Sequence, residues 1–185
     1  MGLAEPCASC HMRCCTHFTI PLTAFDIARI CSKLNCAPSE FCHLVESEKV
    51  EASPHANVLV FDENGKICEK TAVLRKKENG ACTFFRELRG CGIHGFHPMP
   101  CRAYPFAFDA NGKMKKNRHF VCPREWKKGE DYDEGEVEKM LEKMENEIAG
   151  HNKLVRKWNA EFAKKITGEK AESEFFGYLE KSAGN

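Results

Sequence analysis

The apolar and polar positions change their period near residue 122. Before it, short apolar or β-branched runs alternate with Asn-Gly turns, a pattern typical of β-hairpins because Asn-Gly readily adopts the positive φ values of tight turns. The pattern predicts strands over residues 58–61, 67–74, 81–85, 106–108 and 114–120, and we expect one small antiparallel sheet. Ahead of these runs, Thr23 and Asp26 form a capping-box signature, which predicts a helix over about residues 23–35. A second short helix is predicted to begin at Ser39.

After residue 122 the period becomes helical. Apolar residues recur among Lys and Glu from Asp133 to Ile166, which predicts a long helix that we expect Gly150 to divide in two. Phe175 and Phe176 predict a short terminal helix. We expect the apolar stripe to cover the chain's own core rather than a partner, because amphipathic helices usually do so. The stripe consists of Val137, Met140, Leu141, Met144, Ile148, Val155, Trp158 and Phe162.

Together the elements predict an α+β fold, with a small antiparallel sheet flanked by helices. We expect a single domain over residues 1–185, with a C-terminal helical extension at 133–181, since 185 residues suffice for one hydrophobic core. The formal charge of +1 gives no general reason to expect nucleic acid or a membrane as partner. With no apolar run of 18 residues and no signal-peptide pattern, we expect a cytoplasmic protein.

Twelve cysteines change this picture, and all of them lie between Cys7 and Cys122. In a reducing compartment, such a set is better explained by metal ligands, redox groups or buried thiols than by disulfides. Four of them, Cys7, Cys10, Cys14 and Cys15, fall within nine residues. A Cys-x-x-Cys turn lets two sulfurs converge on one ion, so this density indicates a metal site.

Four later cysteines stand beside glycine or proline in turns near the predicted strand ends. Those neighbours let the backbone bend so that sulfurs converge. With the first four they make eight thiols, enough for two four-thiolate sites in a metal-binding region at residues 7–122. The later four are Cys82, Cys91, Cys101 and Cys122.

These motifs resemble the YkgJ-type cysteine-cluster family of zinc- or iron-chelating domains, which begin with Cys-x2-Cys-x3-Cys-Cys. The resemblance also covers the elements at 80–84 and 91–93 and the block from Pro98 to Phe106, while His94 and His97 depart from the family's usual Tyr and Arg. It implies metal ions as ligands of this chain, held by the eight cysteines. In the related flagellin lysine-N-methylase, a similar region accompanies methyl transfer to protein lysines.

The resemblance does not carry the enzyme activity with it, because the chain has no glycine-rich turn that would hold S-adenosylmethionine. A cluster-dependent protein lysine methyltransferase and a zinc-stapled adaptor that binds a protein or nucleic acid therefore stay open as alternatives. A thiol–disulfide oxidoreductase is disfavoured because no strand precedes Cys7. Nucleic acid is not expected, since basic runs at hairpin edges commonly protect a sheet from aggregation.

Thiolate ligands suit both zinc and iron–sulfur clusters. We favour an iron–sulfur cluster of 4Fe–4S type over zinc because the thiols are dense and one pair is adjacent, although a zinc site would also stabilise a small, turn-rich fold. Cys31, Cys36, Cys42 and Cys68 are expected to be buried or incidental thiols. Near the ligands we expect Arg102, His94 and His97 to neighbour the centre without binding it directly.

Overall fold

The structure is a computed structural model that describes residues 13–50, 53–87, 90–117, 121–122, 125–168 and 170–183. None of the helices in this part of the chain combines the length and apolar character needed to cross a bilayer. In chain order, its helices and strands are α1 Arg13–His17, α2 Ala24–Leu34, β1 Cys42–Glu46, β2 Val58–Phe61, β3 Ile67–Leu74, β4 Phe85–Arg86, β5 Gly90–Cys91, α3 Met99–Ala103, β6 Phe106–Phe108, β7 Met114–Lys116, α4 Glu134–Glu161 and α5 Lys170–Ala183.

The chain divides into two compact units. The first consists of Met1–Phe18 and Lys76–Asn146, and the second of Thr19–Arg75 and Glu147–Asn185. Helices and antiparallel sheets occur in both, so the α+β class is confirmed. The expectation that the chain forms a single domain stays a prediction.

The second unit contains a three-stranded antiparallel sheet in the order β1-β3-β2. The bounds predicted for β2 and β3 are confirmed, and Val58 pairs with Lys70 across them. The prediction of a helix from Ser39 was wrong beyond one turn, because a short 3-10 turn at Pro38–Glu40 leads into β1. In β1, Cys42 pairs with Leu74, and the alternate residues Cys42 and Leu44 are buried. The strand thus gains its stability from partner residues 24 to 32 positions away in sequence, which a local pattern does not show.

The start of α2 follows the sequence prediction closely. The Thr23 hydroxyl accepts a hydrogen bond from the Asp26 amide at 3.1 Å, and an Asp26 carboxylate oxygen accepts one from the Thr23 amide at 3.1 Å. At the other end Asn35 takes a left-handed conformation, φ 52°, which stops the helix. Since Asp26 is fully buried, its other oxygen is neutralised by Arg29 at 2.6 Å.

The predicted long helix is α4, and Gly150 does not divide it. A Cβ atom at Gly150 would lie 2.8 Å from Cε2 of Phe25, so the glycine allows this ring to lie against the helix. One glycine costs a helix only about 1 kcal/mol relative to alanine, which such packing offsets. Further along, Trp158 packs edge-on against Phe175 of α5, with ring centroids 5.3 Å apart. The terminal helix is confirmed, and it buries Phe175 and Phe176 within the second unit.

The first unit has two separate two-stranded sheets, β4-β5 and β6-β7, so the prediction of one sheet was wrong. In each sheet, a strand of two or three residues pairs with its neighbour in the chain. The strand predicted at 81–85 is reduced to a bridge between Lys76 and Cys82, followed by β4. The strand predicted at 114–120 ends at Lys116, and residues 118–120 lie outside the described residues.

Behind the β6-β7 hairpin lies an apolar cluster that gives the first unit a core. Phe106 is buried there, with its ring centroid 5.7 Å from that of Trp126 and 4.6 Å from that of Tyr132. The helical stripe predicted on α4 contributes Val137 and Leu141 to this cluster. The cluster fixes the hairpin that follows α3, and α3 carries one of the predicted metal ligands.

Candidate metal centre

Six of the eight predicted ligands lie among the described residues, and all six belong to the first unit. They are placed on four kinds of backbone: a short helix, a bridge, a strand and a loop. Cys7 and Cys10 lie outside the described residues. The six are Cys14 and Cys15 in α1, Cys82 in the bridge to Lys76, Cys91 in β5, Cys101 in α3, and Cys122 beyond β7.

Backbone hydrogen bonds bring three of these segments side by side. The Cys82 amide donates to the carbonyl of Cys15 at 2.8 Å, which joins the first cysteine segment to the turn after residue 80. The carbonyl of Cys82 accepts from the Phe85 amide at 2.9 Å, and Phe85 pairs with Cys91 across β4 and β5. The turn at Cys82 therefore links the segments that carry Cys15 and Cys91.

The thiols of this group act on one another electrostatically. A hydrogen bond from the Cys15 thiol lowers the pKa of Cys14 to about 7, although burial opposes the change. The same bond raises the pKa of Cys15, as does burial. Charge on Cys14, Cys101 and Cys82 raises it further. Burial is the main cause that raises the pKa of Cys91, and charge on Cys82 and Cys14 adds to it.

Cys122 is linked to the group through Tyr104, a residue of the block from Pro98 to Phe106 to which the sequence analysis gave no role of its own. The Tyr104 hydroxyl oxygen accepts hydrogen bonds from the amides of Val121 at 2.6 Å and Cys122 at 3.2 Å. Burial is the main cause that raises the pKa of Tyr104, and charge on Cys122 and Cys14 raises it too. The phenol therefore lies near both the first and the last described thiol of the set.

The predicted neighbours of the centre lie on the same segments. Arg102 donates to the carbonyl of Gly95 at 3.1 Å, which ties α3 to the turn before it. In that turn the rings of His94 and His97 stack with centroids 4.8 Å apart and an interplanar angle of 21°. Burial raises the pKa of Cys82, and the positive charge of Lys77 and Lys76 offsets part of this rise. Positive charge near thiols favours the thiolate form that binds metals.

The donor chemistry of this group fits zinc or iron. Thiolates are the soft ligands that both zinc and iron–sulfur clusters take, and no disulfide joins any two of the described cysteines. Among the described residues, no three His, Cys, Asp or Glu side chains are already arranged to hold an ion. Cys7 and Cys10 are not among those residues, so the arrangement covers only part of the predicted set.

The other four cysteines, which are not in the predicted ligand set, belong to the second unit. Cys42 is buried and its thiol donates to the Pro38 carbonyl at 3.1 Å, which is the behaviour expected of a core thiol. Burial, followed by the charge of Glu180, raises the pKa of Cys31 to about 12. Such a thiol stays protonated at neutral pH when no metal is bound. Cys36 and Cys68 are half-buried.

Comparison with known proteins adds the family. No curated protein and no solved structure matches the chain. One family model does match, over residues 6–123, which is more than half of the chain. Its description is CxxCxxCC, "putative zinc- or iron-chelating domain", and the matched span includes all eight predicted ligands. The chain therefore belongs to the CxxCxxCC family of zinc- or iron-chelating domains.

Proposed function

We propose that the first unit binds metal through thiolates supplied by all eight cysteines of the set. The observation that carries this proposal is the backbone hydrogen bonding that brings the segments of Cys15, Cys82 and Cys91 side by side. Beside this group, a hydrogen bond from Cys15 lowers the pKa of Cys14 to about 7, which leaves a large thiolate fraction at neutral pH. The proposed ligands are Cys7, Cys10, Cys14, Cys15, Cys82, Cys91, Cys101 and Cys122.

Within that proposal we favour an iron–sulfur cluster over zinc. Two adjacent thiols, Cys14 and Cys15, share a hydrogen bond and so point into one region. A cluster of several irons can take neighbouring thiolates on different irons, whereas a single tetrahedral zinc rarely takes two successive residues. A cluster would supply one-electron redox chemistry, and zinc would supply folding free energy.

The cytoplasm, where thiols stay reduced, is the location we propose.

The substitution Cys101→Ser tests the ligand set. Serine keeps the approximate size of the side chain, but its hydroxyl does not replace a thiolate as a soft ligand. We expect the variant, purified without oxygen, to hold less metal per chain than the natural protein and to be less soluble. Metal analysis of the purified protein provides the measurement.

Cys68→Ser is the matched control, because it makes the same change on β3 in the second unit. It should keep the natural metal content. Full metal occupancy in Cys101→Ser would remove this residue from the ligand set, and equal loss in both variants would show a general folding effect. Absence of metal from the natural protein would overturn the proposed function itself.

A further inference from the structure

Tyr104 connects the segments of three cysteines. On one side its hydroxyl oxygen accepts hydrogen bonds from the amides of Val121 and Cys122, at 2.6 and 3.2 Å. On the other side its ring packs against that of Phe18, with centroids 5.3 Å apart. The Phe18 amide in turn donates to the carbonyl of Cys14 at 3.0 Å. Tyr104 therefore contacts the backbone of the last cysteine directly and that of Cys14 through one residue.

The third segment is α3, which ends immediately before Tyr104. The Tyr104 amide donates a hydrogen bond to the carbonyl of Pro100 at 3.2 Å. The Cys101 amide donates one to the carbonyl of Pro98 at 3.0 Å. These bonds hold the tyrosine to the short helix that carries Cys101. The position of the ring is thus set by packing and backbone bonds on two sides, independently of Cys122.

Residues 121 and 122 lie in neither a helix nor a strand. Each backbone amide has one hydrogen to donate, and both amides of this segment donate to the same phenol oxygen. The hydroxyl thereby replaces the ladder bonds that would hold a strand in register. Without it, the two amides would lose an acceptor at a half-buried position and the segment would lose its fixed orientation.

We propose that Tyr104 is a positioning residue for the metal centre, which holds the Cys122 backbone so that its thiolate is delivered to the metal. This inference rests on the proposed function and adds to it a residue outside the ligand set. Residues that orient metal ligands change metal affinity by about 10- to 100-fold when they are replaced. A tyrosine acting only in the core would not change the affinity through Cys122.

Tyr104→Phe is the informative variant, because it removes only the oxygen and keeps the ring that packs against Phe18. The protein as purified without oxygen would be exposed to excess EDTA, and the metal left on the chain would be followed over time. We expect Tyr104→Phe to lose metal about 10-fold faster than the natural protein. Tyr178→Phe is the matched control, since it removes a hydroxyl that donates to the Leu154 carbonyl in the second unit. It should release metal at the natural rate.

A double-mutant cycle separates positioning from a general structural role. If Tyr104 acts through Cys122, then Tyr104→Phe should cause no further acceleration in a chain that already carries Cys122→Ser. A full further acceleration in that background would overturn the inference, as would an unchanged release rate in Tyr104→Phe alone. Either of these results would overturn only the role of Tyr104, as long as the natural protein holds metal. Absence of metal from the natural protein would overturn the proposed function.

Hydrogen exchange on the natural protein tests the inference even if Tyr104→Phe fails to fold. The amides of Val121 and Cys122 should exchange slowly because both are bonded to the phenol. Exchange at the rate of an unprotected loop would contradict the inference.

Discussion

Two buried histidines in the second unit should make the protein sensitive to acid. His55 and His151 are 6% and 1% exposed, and their ring centroids are 5.3 Å apart. Nδ1 of His151 accepts a hydrogen bond from the Ala24 amide at 3.1 Å, so the ring is neutral with its proton on Nε2. Nδ1 of His55 shares a hydrogen bond with the Ser53 hydroxyl at 2.9 Å. Neither bond offers a carboxylate that would stabilise a positive charge.

Burial lowers the pKa of His55 to about 4. For His151, burial together with the positive charge of His55 lowers the pKa to about 3. In the unfolded chain both have pKa values of about 6.5, so between pH 6.5 and 3 the unfolded state binds more protons than the folded state. Stability therefore rises with pH across this window and is complete above pH 6.5. Relative to its value above pH 6.5, the free energy of unfolding at pH 5 should be about 2 kcal/mol lower for each histidine, and about 4 kcal/mol lower for the pair.

The variant His151→Asn tests this reasoning, because the Asn side-chain oxygen can replace Nδ1 as acceptor for the Ala24 amide but does not titrate. Urea unfolding of both proteins would be measured in steps from pH 8 to pH 5. We expect the variant to lose about 2 kcal/mol less than the natural protein over this range. Loss of metal in acid affects both proteins alike and cancels in the difference. Identical pH dependence in the two proteins would refute the reasoning.

Two further substitutions test the core of the second unit by urea unfolding. Asp26→Ala removes a fully buried carboxylate that accepts from Thr23 and pairs with Arg29, so it should cost about 3 kcal/mol. The same change at Asp62, which accepts amides in an exposed turn, should cost under about 1 kcal/mol; equal costs would contradict the assigned role. Trp158→Ala removes a side chain that is 2% exposed and should cost about 3–5 kcal/mol. A cost below about 1 kcal/mol would show that this aromatic cluster does not stabilise the fold.

Local signals account for the parts of the fold that the sequence predicted correctly. The capping box at Thr23 and Asp26 marks the start of α2 because both of its hydrogen bonds form within three residues. The Asn64-Gly65 turn defines the β2-β3 hairpin in the same way, with Gly65 at φ 78°. The strand β1 was missed, and the break at Gly150 was wrong, because each depends on a partner distant in sequence. For β1 the partner is β3, and for Gly150 it is the Phe25 ring.

In the candidate site, too, some features follow from local sequence signals and others depend on residues distant in sequence. Thiol density and the neighbouring glycines and prolines predict the cysteine set, since the sequence shows which residues have side chains able to bind a metal. The role of Tyr104 was not visible, because its acceptor bonds reach amides 17 and 18 residues away. A tyrosine followed by proline carries no local signal of such a bond. The grouping of Cys15 with Cys82 likewise depends on one backbone hydrogen bond between distant segments.

The most direct test of the account is the iron, zinc and acid-labile sulfide content of the protein purified without oxygen, with its visible absorption spectrum. We predict stoichiometric iron and sulfide, with a broad absorption that dithionite bleaches. Stoichiometric zinc with a featureless visible spectrum would contradict the iron–sulfur assignment and keep the thiolate centre. Protein that is folded and holds neither iron nor zinc would contradict the central claim that these cysteines bind metal.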